Sequence, residues 1–228
     1  MIKLLSTINT TSLIVLILFL GIQISSFHMW FYYWQFGLNN TYETLQMYPH
    51  DVHEVTRHLI EYMRNNLDRD YGLQIMTYVN GQMRYFFSEL EIKHMLDVYD
   101  LFMYGFIIRN LVFACFIISS AYIIYKKEFK SMFKSLAIGS ISTLIFLTVL
   151  TLIISINWYR AWHIFHYIFF NNDYWLLNPR VDLLINLVPY PFFFAMTSFI
   201  GLFFAVGLIF VAVVSVLVLR KYYRRPNV

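Results

Sequence analysis

Two histidines stand out as the residues of this sequence best suited to acid–base chemistry. His94 lies just before an apolar run that begins near residue 101, and His166 lies in an aromatic segment that follows another apolar run. Near neutral pH an imidazole can accept a proton and an imidazolium can donate one. Each histidine is placed where a long loop meets a membrane, so a shared acid–base site is geometrically reasonable, although the spacing alone leaves it open.

Charged side chains near these histidines are candidates for supporting roles. Asp97 follows His94 by three residues, so on a helix it would share a face with His94 and could fix the imidazole tautomer. Arg109 lies within the apolar run, where it either snorkels to the surface or stabilises a substrate carbonyl. The alternative is that both histidines are ordinary interfacial residues with local polar partners. His163, three residues before His166, is a further candidate for the acid–base role.

The three histidines within residues 50–58 have the wrong spacing for a zinc-protease helix. His53 and His58 are five positions apart, about 140° around a helix, whereas the zinc motif needs histidines four apart. His50 and His53 could share a metal, but solvated histidines on a helix are the more common case, so we expect no metal. The sequence also lacks a phosphate-binding loop, a serine elbow and a carboxylate cluster, which leaves histidine chemistry.

The composition indicates an integral membrane protein that would position these residues. Of the 228 residues, 59% are apolar, 20% are aromatic and only 13% are charged, which is unlike a soluble domain. Four apolar stretches approach the ~20 residues that cross a bilayer. They cover about 8–31, 101–125, 136–158 and 192–219. We predict a mainly α fold with four transmembrane helices that form one structural unit with their loops.

The charge distribution predicts the orientation of these spans. Basic residues cluster on one side, which the positive-inside rule assigns to the cytoplasm together with both termini. They are Lys3, Lys126, Lys127, Lys130, Lys134, Arg220, Lys221, Arg224 and Arg225. The loops 32–100 and 159–191 fall on the other side and contain twelve of the thirteen acidic residues and six of the seven histidines, while His28 lies at the outer end of the first span. We therefore expect an extracellular cap.

The outer loops carry local signals for folded elements in this cap. Apolar residues recur at helical spacing over 49–67. Asn80-Gly81 between two short runs predicts a β-hairpin with a two-residue type I′ turn. Ser88 and Glu91 match a capping box at a helix start. Nothing breaks that helix before the second span, so it would hold the first histidine rigidly.

The second outer loop contains a signal for one more short helix. Asn178 suits an N-cap and Pro179 suits the first helical position. The apolar stripe of this helix would be Val181, Leu184, Ile185 and Val188. Two later prolines would end the helix and lead into the last span.

Two strings of the sequence resemble one known family. The string SELEIKHMLDV at 88–98 is followed by a span, and the string HYIFFNNDYW at 166–175 is followed by Asp182. Together they resemble the lipoprotein intramolecular transacylases, a family of bacterial membrane proteins. The resemblance covers nearly the whole chain, with four spans, inside termini, a large first outer loop and a smaller second one.

This resemblance implies an acyl transfer within one lipidated molecule. The sn-2 acyl chain of a diacylglyceryl-modified lipoprotein would move to the α-amino group of its N-terminal cysteine, giving the lyso form. His94 and His166 would be the acid–base pair, with the assignment of acid and base left open. The resemblance implies no cofactor, no metal and no nucleic acid, and membrane lipid as the surroundings. The site would lie on the extracellular side of the bacterial cell membrane.

Several further residues match this pattern or its expected pocket. Phe169, Phe170 and Trp175 are expected as pocket walls, although ordinary interfacial anchoring explains any one of them equally well. Asp97, Asp182 and Trp175 match motif positions and are taken as supporting residues.

Two other classes of function also fit the sequence. The chain could be a non-catalytic membrane adaptor whose cap binds an exported partner, with structural or pH-sensing histidines. It could also be a lipid hydrolase that binds zinc through histidines.

Overall fold

A computed structural model describes residues 1–224, so Arg225 of the predicted cytoplasmic cluster lies outside the described residues. By internal contacts the chain divides into two compact units. The first unit comprises Met1–Ile22, Phe106–Asn157 and the chain from Phe199 onward. The second unit comprises Gln23–Gly105 and Trp158–Ser198. The second unit contains all seven histidines.

The described residues are mainly helical, with one small antiparallel sheet. In chain order the elements are α1 (Ile2–Phe27), α2 (Met29–Asn39), α3 (Thr41–Leu45), α4 (Pro49–Met63), β1 (Met76–Val79), β2 (Gln82–Tyr85), α5 (Glu89–Tyr125), α6 (Phe129–Ile156), α7 (Trp158–Phe169), α8 (Leu184–Leu187) and α9 (Tyr190–Arg224). Within residues 1–224, four helices are long and apolar enough to cross a membrane: α1, α5, α6 and α9. The predicted mainly α membrane fold with four spans and a hairpin is confirmed.

The helix α5 is much longer than a bilayer requires. It has 37 residues, whereas about 20 suffice to cross. Its most apolar stretch contains no residue buried within the protein and therefore lies between the buried Tyr99 and Ser119. His94 precedes that stretch, so it stands on the part of the helix outside the spanning segment.

The first long helix ends earlier than its apolar run. His28 has an extended backbone, with φ −117° and ψ 121°, and this residue separates α1 from α2. The predicted first span, 8–31, therefore covers parts of two helices. The aromatic residues that follow Phe27 belong to α2, whose buried members include Phe31 and Tyr32.

Helices α1 and α6 of the first unit approach each other through small and hydroxyl-bearing residues. Ser6 donates to Ser131 and Thr10 donates to Ser135, each at 3.0 Å. A methyl group added to Gly139 would lie 2.5 Å from a carbon of Thr10. Small residues allow this close approach, which is how helices associate where no hydrophobic effect drives them together.

The hairpin of the second unit has the predicted turn. Met76 pairs with Tyr85 and Val79 pairs with Gln82 across the antiparallel ladder. Asn80 and Gly81 have φ of 51° and 73°. Positive φ at both central positions is what a type I′ turn requires, so the Asn-Gly dipeptide identified the turn correctly.

The helix expected over 49–67 is present but shorter. It ends at Met63, because Asn65 adopts the left-handed conformation with φ 66°, which an α-helix cannot contain. The predicted face is buried apart from its last member, Leu67. The buried members are Val52, Val55, Leu59, Tyr62 and Met63.

The prediction of a helix that begins at Asn178 is wrong. Only Leu184–Leu187 is helical. Asn178 instead forms a turn, in which its side-chain oxygen accepts from Arg180 N–H at 3.1 Å and its N–H donates to the Asp182 carboxylate at 2.7 Å. Local side-chain bonds of this kind compete with the helical pattern.

Candidate functional site

The helix that carries His94 begins with the predicted capping box. The Ser88 hydroxyl accepts from the Glu91 N–H at 3.3 Å, and the Ser88 N–H donates to a Glu91 oxygen at 2.6 Å. The second Glu91 oxygen accepts from the N–H of Leu184 at 2.5 Å. This carboxylate therefore joins the start of α5 to the start of α8, one turn before His94.

Two buried carboxylates share this junction. Glu91 is 1% exposed and Asp182 is 4% exposed. Burial raises the pKa of Glu91, while its bonds from the backbone N–H groups of Ser88 and Leu184 act in the opposite direction. Asp182 accepts from the Ser88 hydroxyl at 3.3 Å in addition to its bond from Asn178. Asp182 therefore supports the helix start and does not contact the histidines directly.

The side chains of His94 and His166 lie close together, and one aromatic ring contacts both. Their ring centroids are 6.1 Å apart. Phe170 lies 5.4 Å from His94 and 5.5 Å from His166, measured between centroids, and is 7% exposed. The second unit thus brings the two histidines together with Phe170 against both rings, and the role of Phe170 as a pocket wall stays a prediction.

His166 is held in one tautomer by the helix that carries it. Its Nδ1 lies 2.8 Å from the carbonyl oxygen of Trp162, one turn earlier in α7. A carbonyl only accepts hydrogen bonds, so Nδ1 carries the hydrogen of the neutral ring. The lone pair is then on Nε2, the nitrogen that can accept a proton from a substrate.

Aromatic rings enclose the His166 imidazole. Trp175 stacks on it with a centroid distance of 4.5 Å and an interplanar angle of 28°, and Trp162 packs against it at 4.4 Å. His166 is 4% exposed. Burial lowers the pKa of His166, although the bond to the Trp162 carbonyl raises it in part. The ring is therefore neutral at pH 7.

His94 has a lowered pKa and one nitrogen without a partner. Burial and, less strongly, the neighbouring His166 lower the pKa of His94 to about 4. Within the described residues, the buried Nδ1 of His94 has no hydrogen-bond partner. Leaving a buried polar atom unpaired costs about 1–3 kcal/mol. A polar substrate group beside His94 would recover that cost.

Two predicted supporting residues lie apart from the pair. Asp97 accepts from the side chain of Asn172 at 2.8 Å; this contact replaces the expected bond to His94 and ties α5 to the loop after α7. Phe169 is 49% exposed and packs against Phe165, whereas its neighbour Phe170 lines the pair. The expected roles of Asp97 as an imidazole partner and of Phe169 as a wall find no support in these contacts.

Arg109 belongs to the first unit, whereas both histidines of the pair belong to the second. It lies fifteen residues after His94 on α5. Its guanidinium donates to the Asn110 side chain at 2.9 Å and lies over the Phe106 ring at 5.1 Å. These local contacts occupy the guanidinium whose place in an apolar run suggested a functional role.

His163 contacts two aromatic rings, one of which is the indole that stacks on His166. Its ring lies 4.3 Å from Tyr159 and 5.0 Å from Trp175, measured between centroids.

The sequence did not predict two hydrogen bonds that hold the site together. They are the bond from His166 to the Trp162 carbonyl and the bond from the Leu184 N–H to Glu91. Trp162 could have been found from its spacing of four residues before His166, but nothing in the sequence indicated the second bond.

The other histidines mostly have partners unrelated to metal binding. His53 pairs with the Tyr42 hydroxyl at 2.9 Å, and His58 pairs with the carbonyl of Gly72 at 2.5 Å. Among the described residues, one group has ligand atoms close enough to share an ion, all lying on the surface of α4. It consists of His50, Asp51 and Glu54, with their ligand atoms within 4.8 Å of one another.

Comparison with known proteins identified similarities in both sequence and structure. The sequence model of the family described as "Lipoprotein intramolecular transacylase Lit" matches residues 7–193. The structure is similar to that of the membrane-integral lipoprotein intramolecular transacylase Lit from Bacillus cereus, with a TM-score of 0.84, 24% sequence identity and coverage of 99% of each chain.

Variants of the Bacillus cereus protein are also similar. A structure in which one histidine is replaced by alanine has a TM-score of 0.78 at 24% identity, over 99% of this chain and 96% of that chain. A structure with a histidine replaced by arginine also has a TM-score of 0.78 at 24% identity, over 98% of this chain and 94% of that chain. At this identity the structural likeness establishes the fold. A search of curated protein sequences found no match.

Proposed function

Because the chain belongs to the lipoprotein intramolecular transacylase family, we propose that His94 and His166 are the acid–base pair of its reaction. The protein is a multi-pass membrane protein and a transacylase. The reaction moves the sn-2 acyl chain of a diacylglyceryl-modified lipoprotein to the α-amino group of the N-terminal cysteine. The observation that carries the proposal is the 6.1 Å separation of the two imidazole ring centroids, with the buried Phe170 ring against both.

The reaction requires one net proton transfer. The amine nitrogen attacks the ester carbonyl carbon, so a C–N bond forms and the C–O bond to the glyceryl group breaks. The proton lost by nitrogen must reach the departing glyceryl oxygen. The products are an amide and a free hydroxyl in the same molecule, so no co-reactant is needed.

His166 is the base in this proposal. Its Nδ1–H is committed to the Trp162 carbonyl, so Nε2 is available to remove the amine proton as the C–N bond forms. The lowered pKa keeps this nitrogen unprotonated at neutral pH. An α-amino group has a pKa of roughly 8, so a useful fraction of it is already neutral.

His94 then returns a proton to the glyceryl oxygen. Both rings are neutral at rest because burial lowers both pKa values. The proton that reaches the leaving oxygen is therefore the one that His166 has taken from the amine, passed on through His94. Positioning of the two reacting groups supplies the rest of the acceleration, since well-oriented groups gain several kcal/mol over freely diffusing ones.

The substrate would be a lipidated protein whose acyl chains lie in the membrane. Its lipidated N-terminal cysteine would lie at His94 and His166. Phe170 contacts both imidazoles and Trp175 stacks on that of His166, and both would fold the substrate so that amine and ester meet. The charge distribution supports an extracellular site, because the outer loops hold twelve of the thirteen acidic residues, whereas the inner connection and the termini hold nine of the seventeen basic residues.

Mass spectrometry of the N-terminal lipopeptide from a co-expressed lipoprotein tests this proposal. Wild-type protein should yield an N-acyl, mono-O-acylglyceryl cysteine, and His94→Ala and His166→Ala should leave the diacylglyceryl form with a free amine. His50→Ala is the matched control, because its side chain is 85% exposed, and it should keep activity. Product from both His94→Ala and His166→Ala would reject the histidine mechanism. Failure of the wild-type protein to act would favour a non-catalytic adaptor.

A further inference from the structure

Trp175 carries a buried donor without a partner. The residue is 6% exposed, and within the described part of the chain its indole Nε1 makes no hydrogen bond. A buried N–H left unpaired costs about 1–3 kcal/mol, and native proteins keep few of them. An indole nitrogen only donates, so the group that completes this site must be a hydrogen-bond acceptor.

The indole is fixed directly against His166. The two rings stack with centroids 4.5 Å apart at 28°. The indole N–H lies in the plane of its own ring, so an acceptor bound to it would lie in the plane that stacks on His166. His163 at 5.0 Å and Tyr167 at 5.3 Å pack edge-on against the indole. The donor therefore needs no rearrangement when an acceptor arrives.

We propose that the indole N–H of Trp175 stabilises the oxyanion that forms when the amine attacks the ester carbonyl. The inference rests on the proposed function and adds to it a catalytic residue that touches the reacting atoms. Pre-oriented donors in a site that excludes water stabilise such charge far more than they do in water. Arg109, the cation that the sequence indicated for this role, is occupied elsewhere.

The electron balance of the step identifies the acceptor. As the C–N bond forms, the carbonyl π electrons move to the carbonyl oxygen of the ester, which becomes an anion and accepts the hydrogen bond from the Trp175 N–H. The indole proton stays on its nitrogen. When the C–O bond to the glyceryl group breaks, the carbonyl re-forms, the charge moves to the glyceryl oxygen, and His94 protonates that oxygen.

A second tryptophan provides a matched control. Trp158 also has a buried indole nitrogen without a partner in the described residues. Its ring contacts Trp162 and Phe194, at 6.2 and 5.2 Å between centroids, and none of the ring contacts found within residues 1–224 joins it to either histidine of the pair. The substitution of tryptophan by phenylalanine removes the same N–H at both positions and keeps an aromatic ring.

The first test compares turnover in these two variants. Trp175→Phe should lower kcat by about 10²–10³-fold, the usual loss for one oxyanion donor, while Trp158→Phe stays within about threefold of wild type. A lipopeptide with an acetylated amine, which cannot react, should bind wild type and Trp175→Phe equally, since it carries no oxyanion. Equal kcat in both variants, or a Trp175→Phe defect confined to KM, would reject the proposal. An inactive wild type would instead reject the proposed function.

The second test uses wild-type protein and does not depend on the folding of Trp175→Phe. The chain has five tryptophans, so indole ¹⁵N–¹H spectra are simple, and Phe substitutions of the other four identify the Trp175 resonance by elimination. A phosphonate lipid that imitates the tetrahedral oxyanion should move this resonance downfield, and the acetylated lipopeptide should not. An unmoved resonance with the phosphonate bound would overturn the inference.

Discussion

The basicity of His166 is directed by one backbone hydrogen bond. The Trp162 carbonyl holds the hydrogen on Nδ1, which leaves Nε2 as the nitrogen that can accept a proton. Replacing His166 with glutamine keeps a donor of similar size but removes the base. We expect His166→Gln to retain the fold and lose turnover by at least about 10²-fold, the lower range for a general base. Lipopeptide mass spectrometry and a thermal melt would measure both, and unchanged turnover would contradict the assignment.

Burial of a neutral His94 makes stability depend on pH. The pKa of His94 is about 4 in the folded protein and roughly 6.5 in the unfolded chain. Between these values the unfolded chain binds more protons, so the free energy of unfolding falls as the pH is lowered. The loss begins near pH 6.5, is complete near pH 4 and amounts to at most about 3 kcal/mol.

Thermal melts followed by tryptophan fluorescence between pH 7.5 and 4 would check this pH dependence. Wild-type Tm should fall with pH more steeply than the Tm of His94→Gln, which has no imidazole to protonate at that position. Parallel curves for the two proteins would show that His94 is not buried in its neutral form.

The start of α5 determines where His94 stands. Glu91 uses one carboxylate oxygen for the capping box and the other for the N–H of Leu184. We expect Glu91→Gln to lower the free energy of unfolding by about 1–3 kcal/mol, because an amide can accept through only one atom and leaves a buried donor unpaired. Turnover should also fall, because the start of α5, which carries His94, would be displaced.

Glu89→Gln is the control for this substitution, since Glu89 lies in the same turn but is exposed. Tm measured in the same detergent should separate the two variants. Equal Tm values would mean that the carboxylate link does not stabilise the junction.

Close contact between α1 and α6 supports the membrane-spanning part of the protein. An added methyl group at Gly139 would lie 2.5 Å from Thr10, whereas the same group at Gly201 would meet nothing within 4 Å. Gly139→Ala should therefore lower the free energy of unfolding by about 1–3 kcal/mol through overpacking. Gly201→Ala should leave it unchanged or slightly raised. Tm measurements in one lipid mixture would distinguish them, and an equal Tm for both variants would contradict the packing.

The sequence by itself determined the elements that depend on local chemistry. Long apolar runs must cross the membrane, an Asn-Gly pair suits a type I′ turn, and Ser88 with Glu91 begins a helix, because each of these preferences acts over a few neighbouring residues. The resemblance of two short strings to a known family added the pairing of His94 with His166, which spacing alone left open.

Only the tertiary structure decided which side chains meet. Asp97 bonds to Asn172 and not to His94, and Trp175 stacks on His166. The guanidinium of Arg109 donates to its neighbour Asn110. No local pattern encodes these contacts. The helix expected at Asn178 failed for the same reason, since side-chain bonds selected a turn. Contacts between distant segments arise from packing of the whole unit, and helical spacing cannot specify them.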